Sequence, residues 1–332
     1  MKLATLKNAT RDGHLVVVSR DHTRMASCPI YSTMQSALDH WDKAKASLYA
    51  IFDQLNDSTN FGVPFDIHKC HSPLPRAYQF LDGSVYTKHV ELARKSRGQA
   101  MPETFFQDPL MYQGGCDTAI PPHDPICVLA ESWGIDFEAE VVVITDDVPM
   151  GVTPEEAASH IQLIMLMNDV SYRNLVPAEL AKGFGFINGK GQRAFSPFAI
   201  TPDELGSAWR DGMLHVMLCC ELNGVSVGRL NAGVGAAFNF PQLIAHAAKT
   251  RALGAGTLIG GGTVSNNSTD EGGHGVACLV EKRMLEKIEG SATQTAFMKD
   301  GDRIRIYAER LGDDSALSLF GEIDQKVNVK RI

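Results

Sequence analysis

A pair of glutamates in a strand-like stretch is the first candidate for chemistry. Residues 136–144 read Asp-Phe-Glu-Ala-Glu-Val-Val-Val-Ile, and strand alternation puts Glu138 and Glu140 on one face, roughly 7 Å apart. Apolar residues on both faces indicate that much of this strand is covered. Two partly desolvated carboxylates repel each other and resist ionisation, and a divalent cation with oxygen ligands, such as Mg²⁺ or Ca²⁺, removes that conflict. A strand end that reaches solvent also carries glutamates, so both interpretations stay open here.

A third carboxylate, Asp169, follows a segment that we predict to be a helix running to about Asn168. The negative end of the helix macrodipole disfavours an aspartate there, which marks Asp169 as a candidate for a functional role. Arg173 and Lys190 come later in the sequence, and cations beside a carboxylate cluster are what an anionic substrate requires. A solvated aspartate in a loop is the ordinary alternative.

A fourth carboxylate, Asp82, lies seven residues before His89. If a helix begins near Ser84, His89 lies about two turns above Asp82 on a similar face. One carboxylate and one imidazole can then approach the same site. A lone histidine on a helix is more often structural, so this spacing needs context.

The elements that must hold these residues begin with a leading unit, predicted as a small N-terminal domain over residues 1–72. A β-branched run over 15–19 predicts a strand. Ser32 and Gln35 resemble a capping box, and the apolar spacing that follows predicts one long amphipathic helix. Gly and Pro residues over 60–75 indicate a linker.

Residues 73–332 form the second predicted domain and carry most of the strand signals. Thr153 followed by Pro-Glu-Glu is typical of a helix start. Asn223-Gly224 between two apolar runs predicts a hairpin. Many strands with few helices favour an α+β, predominantly β fold with attached helices.

Three glycine motifs suggest other chemistry and fail their context tests. Residues 224–228 match G-x-S-x-G, but they lie in a predicted hairpin, whereas a nucleophile elbow needs a strand, a turn and a helix. The Gly-Ala-Gly at 254–256 follows a predicted helix rather than a strand, as a dinucleotide loop would require. The Gly-Lys-Gly at 189–191 lacks the first glycine and the Ser or Thr of a phosphate loop.

The composition excludes several classes of protein. The formal net charge is −8 over 332 residues, which argues against a nucleic-acid partner. Seven cysteines without a C-x-x-C pair disfavour a disulfide framework or a Cys-based zinc site. No signal-peptide core and no run of about 18 apolar residues is present, so we expect a cytoplasmic protein without a membrane partner.

In order, these segments resemble the fumarylacetoacetate hydrolase family, from about Pro73 to Lys330. The resemblance implies that the metal is held by an Asp, an E-x-E pair and a second Asp, which correspond to Asp82, Glu138, Glu140 and Asp169. It also implies a general base, a glutamate that orients it and a catalytic lysine, which correspond to His89, Glu281 and Lys190.

The resemblance further implies substrate contacts, which correspond to Tyr112, Arg97, Arg173 and Thr263, with Arg94 as an alternative to Arg97. Two departures concern the substrate rather than the metal. Val176 stands where fumarylacetoacetases carry a glutamine that helps to hold the oxyanion, and a nearby tyrosine of those enzymes is replaced around Leu180.

The activity implied is metal-dependent hydrolysis of a carbon–carbon bond in a small anionic 1,3-diketo acid, fumarylacetoacetate or a related acylpyruvate, in aromatic or tyrosine degradation. The alternatives are a keto-acid decarboxylase, hydratase or isomerase of the same family, and a metal-stabilised binding protein that has lost catalysis. The cofactor would be Mg²⁺ or Ca²⁺, with Mn²⁺ as a further candidate. The resemblance also implies a mixed β-sandwich or β-roll core with flanking helices, and a homodimer.

Overall fold

Strands dominate the structure, a computed structural model that describes residues 1–267, 273–312 and 318–330. Within those ranges the strands are β1 (Lys2–Leu6), β2 (His14–Val18), β3 (Arg24–Ser27), β4 (Val63–Pro64), β5 (Cys70–His71), β6 (Phe80–Gly83), β7 (Met111–Gly114), β8 (Ile126–Val128), β9 (Ile135–Asp136), β10 (Ala139–Thr145), β11 (Ile161–Asn168), β12 (Ser171–Tyr172), β13 (Ala194–Phe195), β14 (Phe198–Ile200), β15 (Trp209–Arg210), β16 (Met213–Leu214), β17 (Val216–Leu222), β18 (Val225–Asn231), β19 (Leu258–Gly260), β20 (His274–Gly275), β21 (Arg303–Arg310) and β22 (Ile323–Val329).

The helices in the same ranges are short, apart from one in the leading part. They are α1 (Met34–Leu38), α2 (Trp41–Asp57), α3 (Thr87–Lys95), α4 (Pro154–Ala157), α5 (Val176–Leu180), α6 (Pro202–Leu205), α7 (Phe240–Ala247) and α8 (Leu279–Ile288). Among the described residues, no helix combines the length and the apolar character needed to cross a bilayer.

Two large sheets form the core. The twelve-stranded sheet runs β4-β3-β2-β1-β14-β11-β10-β19-β6-β7, with β13 beside β11 and β5 beside β1, and the six-stranded sheet runs β20-β18-β17-β21-β22-β8. One face of β10 shares a hydrophobic cluster with β17 and β21, whereas its other face shares a second cluster with α1 and α2. The predicted α+β fold, a mixed β-sandwich with flanking helices and a small leading unit, is confirmed.

The leading part differs from its prediction in two details. The capping box is formed by Thr33 and Ser36, not by Ser32 and Gln35, and the predicted long helix is two helices that break at Asp39. Both helices bury their apolar side chains in the same cluster, so the apolar spacing continues across the break and cannot locate it. The predicted linker over 60–75 contains β4 and β5, and β1 pairs with both β5 and β14. The large sheet therefore runs through both parts, and the boundary at residue 72 stays a prediction.

The helix predicted from Thr153 to Asn168 is wrong beyond its first turns. Thr153 does cap α4 in a capping box with Glu156, but a short 3-10 turn follows and the chain then enters β11 (Ile161–Asn168). β11 pairs with β10 and β14 in the middle of the large sheet and is buried along its whole length. A strand covered on both faces is apolar throughout and loses its alternation, so periodicity does not distinguish it from a helix.

The hairpin predicted around Asn223-Gly224 is confirmed as β17 and β18. Both turn residues have positive φ, 54° for Asn223 and 77° for Gly224, which a two-residue type I′ turn requires. Ser226 of the G-x-S-x-G match lies in β18 with an exposed side chain. The context of a nucleophile elbow is therefore absent at this motif.

Candidate active site

Three carboxylates meet at one end of the twelve-stranded sheet because of the directions of its strands. β6 and β11 both run toward that end, so Asp82 lies near the end of β6 and Asp169 directly follows β11. β10 is antiparallel to β11, and Glu140 at its start pairs with Met167. The carboxylate oxygens of Asp82, Glu140 and Asp169, called the acidic cluster below, lie within 4.8 Å of one another.

The acidic cluster is buried and incompletely hydrogen-bonded. All three side chains are at most 3% exposed. Among the described residues, Oδ1 of Asp82 and both carboxylate oxygens of Glu140 have no hydrogen-bond partner. Burial and then the charge of Asp169 raise the pKa of Asp82 to about 7, and burial followed by the charge of Asp82 raises the pKa of Glu140 well above its usual value. Buried oxygens without partners are rare in native proteins, and a bound cation would satisfy these oxygens.

A close approach of two strands makes room for this cluster. Gly260 of β19 pairs with Asp82 of β6, and a Cβ atom at position 260 would lie 2.3 Å from Oδ1 of Asp82. Only glycine leaves the carboxylate its place at this position.

Glu138, the other half of the E-x-E pair, contacts cations instead of the acidic cluster. Arg173 donates from Nη2 to Oε1 of Glu138 at 2.6 Å, and Lys190 donates to Oε2. Burial alone would raise the pKa of Glu138, but Arg173 and Lys190 hold it well below its usual range. Its predicted role as a metal ligand stays a prediction.

Lys190 joins Glu138 to the acidic cluster. Its Nζ donates to Oδ2 of Asp169 at 2.6 Å and lies 5.7 Å from the centre of the Tyr112 ring. Burial opposes the charge of Lys190, but Asp169 and Glu138 raise its pKa above the usual value. The Tyr112 hydroxyl donates to the same Oδ2 at 2.9 Å. Lys190 and Tyr112, both predicted site residues, therefore lie at the acidic cluster and donate hydrogen bonds to Asp169.

Arg193 is a site residue that the sequence analysis missed. Its Nε lies 2.8 Å from Oδ1 of Asp169, its Nη2 donates to the Tyr112 hydroxyl at 2.9 Å, and its guanidinium stacks over Phe80. The side chain is 4% exposed. A buried arginine seldom occurs without an acidic partner, but its place three residues after Lys190 gives no local indication of that partner.

The charges at this end of the sheet do not balance without an added cation. Five buried carboxylates lie together, those of Asp82, Asp136, Glu138, Glu140 and Asp169. Three cationic side chains contact them, those of Arg173, Lys190 and Arg193. With all groups ionised, two negative charges remain, which a divalent cation would neutralise. The donors are all carboxylate oxygens, the ligands that Mg²⁺, Ca²⁺ and Mn²⁺ prefer, so the residues fit such an ion.

The predicted base lies beside this cluster on a different element. His89 belongs to α3, which begins at Thr87 rather than near Ser84, and Asp82 lies on a strand rather than on that helix. A ring nitrogen of His89, the sulfur of Cys278 and a carboxylate oxygen of Glu281 lie within 4.8 Å of one another. Burial lowers the pKa of His89 to about 4 and raises the pKa of Glu281 to about 7.

Ser265 positions Glu281, and Asp136 positions the helix that carries it. The Ser265 hydroxyl donates to Oε1 of Glu281. The carboxylate of Asp136 accepts the backbone N–H groups of Leu279 and Val280, at 2.8 and 3.0 Å, at the start of α8. Neither Ser265 nor Asp136 was singled out from the sequence, although Asp136 lies two residues before Glu138 of the E-x-E pair.

A cavity of about 800 Å³ opens onto these groups. Its lining includes Asp82, His89, Tyr112, Glu138, Glu140, Arg173, Lys190 and Thr263, together with both Arg94 and Arg97. Among the described residues neither arginine, Arg94 or Arg97, forms an ion pair. The lining also includes apolar side chains, among them Val176, Leu180 and Phe186. The cavity is thus lined by both charged and apolar side chains, and its lining includes two arginines without an ion pair among the described residues.

Comparisons with known proteins bear on the family and the fold. The family model described as fumarylacetoacetate (FAA) hydrolase C-terminal matches residues 79–316, and the one described as fumarylacetoacetase N-terminal domain 2 matches residues 1–76. A curated relative, 2,4-didehydro-3-deoxy-L-rhamnonate hydrolase of Sphingomonas sp. (strain SKA58), is 27% identical over 208 residues, which cover 62% of this chain and 63% of the relative. The match therefore spans less than two thirds of that relative's length.

Solved structures share the fold. The maleylpyruvate hydrolase of Sphingobium sp. SYK-6, in complex with manganese(II) ion and pyruvate, is 16% identical with a TM-score of 0.65 over 100% of both chains. The 5-carboxymethyl-2-hydroxymuconate delta-isomerase of Mycobacterium smegmatis is 18% identical with a TM-score of 0.60, also over 100% of both chains. Enzymes of different reaction types thus have this fold.

Proposed function

The chain belongs to the fumarylacetoacetate hydrolase family, and we propose that it is a metal-dependent hydrolase that cleaves a carbon–carbon bond in a 1,3-diketo acid of the acylpyruvate class. The observation that carries this proposal is the buried acidic cluster, whose unpartnered oxygens lie beside His89 at one cavity. Fumarylacetoacetate is the second substrate to consider.

The substrate class rests on chemistry and on the relatives' names. The name 2,4-didehydro-3-deoxy-L-rhamnonate places two carbonyls at C2 and C4 of an acid, which is the acylpyruvate pattern. One structural neighbour holds pyruvate, the fragment that contains C1 to C3 of such a substrate. Val176 and Leu180 in the cavity lining favour a short, apolar acyl group over the second carboxylate of fumarylacetoacetate.

The metal would be held by Asp82, Glu140 and Asp169, with Glu138 as the fourth predicted ligand. When bound, a divalent ion supplies Lewis-acid polarisation of the substrate carbonyl oxygens. Mg²⁺, Mn²⁺ and Ca²⁺ all fit a carboxylate donor set. Without the ion, the acidic cluster would hold protons instead, as the raised pKa values of Asp82 and Glu140 indicate.

His89 is the proposed general base. Because burial lowers its pKa to about 4, the imidazole is neutral at pH 7 and can accept a proton from a water molecule. Glu281, held by Ser265, lies within 4.8 Å and would stabilise the imidazolium that forms. His89 lines the cavity, which supports its access to a water molecule there.

The cationic side chains have separate proposed roles in oxyanion stabilisation and substrate binding. Lys190 keeps its charge and lines the cavity, so it would stabilise the oxyanion that develops at the attacked carbonyl. Arg94 or Arg97 would bind the substrate carboxylate, and Thr263 would donate to a polar end of the substrate. Arg173 and Tyr112 already bond to Glu138 and Asp169, so we expect them to position those carboxylates as well as to contact substrate.

The test is pyruvate release from acetylpyruvate, with fumarylacetoacetate as a parallel substrate. We expect release with Mg²⁺ or Mn²⁺, loss of release with EDTA, and at least a hundredfold loss in His89→Gln, the contribution typical of a general base. His14→Gln, at a distant histidine in β2, is the matched control. Consumption of acetylpyruvate without pyruvate release would instead indicate an isomerase or hydratase, and carbon dioxide release from oxaloacetate would indicate a decarboxylase. No turnover of either diketo acid with metal present would contradict the proposal.

A homodimer, a cytoplasmic location and a role in aromatic or tyrosine degradation are proposals that rest on the family resemblance. Light scattering of the purified chain tests the first of them, and a monomer would contradict it.

A further inference from the structure

A second group of metal-binding side chains lies beside the acidic cluster. His89, Cys278 and Glu281 each offer one ligand atom, and these three atoms lie within 4.8 Å of one another. A tetrahedral zinc ion, with bonds of about 2.1 Å to nitrogen and about 2.3 Å to sulfur, separates its ligands by about 3.5 Å. The side chains need to close by little more than 1 Å to bind such an ion.

Two atoms of this group are buried without hydrogen-bond partners among the described residues. This is a second observation in favour of a bound ligand, separate from the proximity of the three side chains. Among the described residues, Oε2 of Glu281 and Nδ1 of His89 have no hydrogen-bond partner. The Glu281 side chain is 2% exposed, so water does not replace the missing partner freely. A buried acceptor left unsatisfied destabilises the fold, and a bound cation would remove that penalty.

The backbone fixes the positions of two of the three side chains. Cys278 is the N-cap of α8 and Glu281 lies in its first turn, so their three-residue spacing places both on one side of the helix start. Asp136 fixes that start through the N–H groups of Leu279 and Val280. His89 comes from α3, and it lines the cavity, which gives an ion a route to the group.

We propose that His89, Cys278 and Glu281 form a second cation site, selective for a thiophilic divalent ion such as Zn²⁺, whose occupancy inhibits the enzyme. The acidic cluster offers only hard oxygen ligands, whereas this group offers sulfur, nitrogen and oxygen, which suits Zn²⁺ better than Mg²⁺. The ion replaces the proton on the Cys278 thiol, which is released to solvent. The inhibition, but not the binding, rests on the proposed function, because a coordinated His89 nitrogen cannot accept a proton from water.

Binding is tested by thiolate-to-metal charge-transfer absorption during a Cd²⁺ titration with excess Mg²⁺. The acidic cluster contains no thiol, so an ion bound there is silent in this signal. We expect one equivalent of the absorption in the wild type and in Cys220→Ala, a matched buried cysteine in β17, and none in Cys278→Ala or Cys278→Ser. Cys127→Ser removes the exposed thiol and should retain the band. A band of full intensity in both Cys278 variants would overturn the proposal.

Inhibition is tested by Zn²⁺ titration of acetylpyruvate hydrolysis at excess Mg²⁺, with each variant compared with its own activity before zinc. We expect the inhibitory zinc concentration to rise at least about tenfold in Cys278→Ala, since even outer partners of a metal site are worth that much, and to stay unchanged in Cys220→Ala. Equal zinc sensitivity in Cys278→Ala would overturn the inhibitory role. A Cys278-dependent band in a protein without acylpyruvate turnover would support the cation site and contradict the proposed function instead.

Discussion

Replacing Asp82 by asparagine should stabilise the metal-free protein and abolish its stabilisation by metal. Asp82 is 3% exposed, and its Oδ1 has no partner among the described residues. Asparagine keeps the shape of the side chain but carries no charge. The substitution therefore removes the electrostatic conflict without opening a cavity, and it removes a proposed metal ligand at the same time.

The size of the effect follows from the pKa of Asp82, which burial and Asp169 raise from 3.8 to about 7. The unfolded chain loses this proton near pH 4, but the folded protein holds it until about pH 7. Stability is therefore lost as the pH rises through that window, by about 1.4 kcal/mol per pH unit and about 4 kcal/mol in all. At about 2 °C per kcal/mol for a chain of this size, Asp82→Asn should melt up to about 8 °C higher in EDTA at pH 8, and the difference should vanish near pH 4.

Thermal melting at several pH values, with EDTA or with Mn²⁺, measures both effects. Mn²⁺ at about a hundred times its Kd should stabilise the wild type by about 2.7 kcal/mol, and the variant hardly at all. Glu179→Gln is the matched control, because that buried carboxylate accepts three backbone N–H groups and its pKa is lowered by them, first by that of Asn188. It should lower the Tm with or without metal. A lower Tm of Asp82→Asn in EDTA, or an equal response to Mn²⁺, would refute the reasoning.

Three further predictions concern neighbouring groups and one distant pair. Gly260→Ala places a Cβ 2.3 Å from an acidic-cluster oxygen, so calorimetry should show Mn²⁺ affinity at least about tenfold weaker, and unchanged affinity would contradict the role of this glycine. Ser265→Ala removes the donor to Glu281, so kcat should fall about tenfold while Mn²⁺ affinity stays constant, and a parallel loss of affinity would indicate a merely structural effect. His22 accepts from Lys2, and burial lowers its pKa to about 3, so its stabilisation is lost as the pH falls below 6.5. His22→Gln should therefore show a smaller drop in Tm between pH 7 and 4, and an equal drop would refute this.

Local signals predicted local structure well. The cap at Thr153 and the Asn223-Gly224 turn were correct, because each signal is complete within a few residues. β11 was mistaken for a helix, because its strand conformation depends on pairing with β10 and β14, and those partners are distant in sequence. The break between α1 and α2 was missed for a related reason, since one buried face serves both helices.

The same holds for the site: the sequence identified many of its residues, but not the contacts between them. Asp169 was singled out because of the macrodipole of a predicted helix, yet it follows a strand. The residue was correctly chosen, but the physical reason given for it was wrong. In the structure, the carboxylate of Asp169 forms ion pairs with both Lys190 and Arg193. Spacing revealed the acidic groups, but the excess of two negative charges emerges only when all the partners are brought together in three dimensions.

The two halves of the site are connected through a small sheet whose importance is not visible in the sequence. β9 and β12 pair Asp136 with Ser171. Asp136 lies two residues before Glu138, and Ser171 lies two residues before Arg173. Arg173 donates to both Asp136 and Glu138, while Asp136 also holds the start of α8, which carries Glu281. Glu138 and the start of α8 are therefore linked through one buried arginine and Asp136. We therefore expect a change in charge on either side to act on both, because the two sides are joined by buried ion pairs rather than by any single sequence motif.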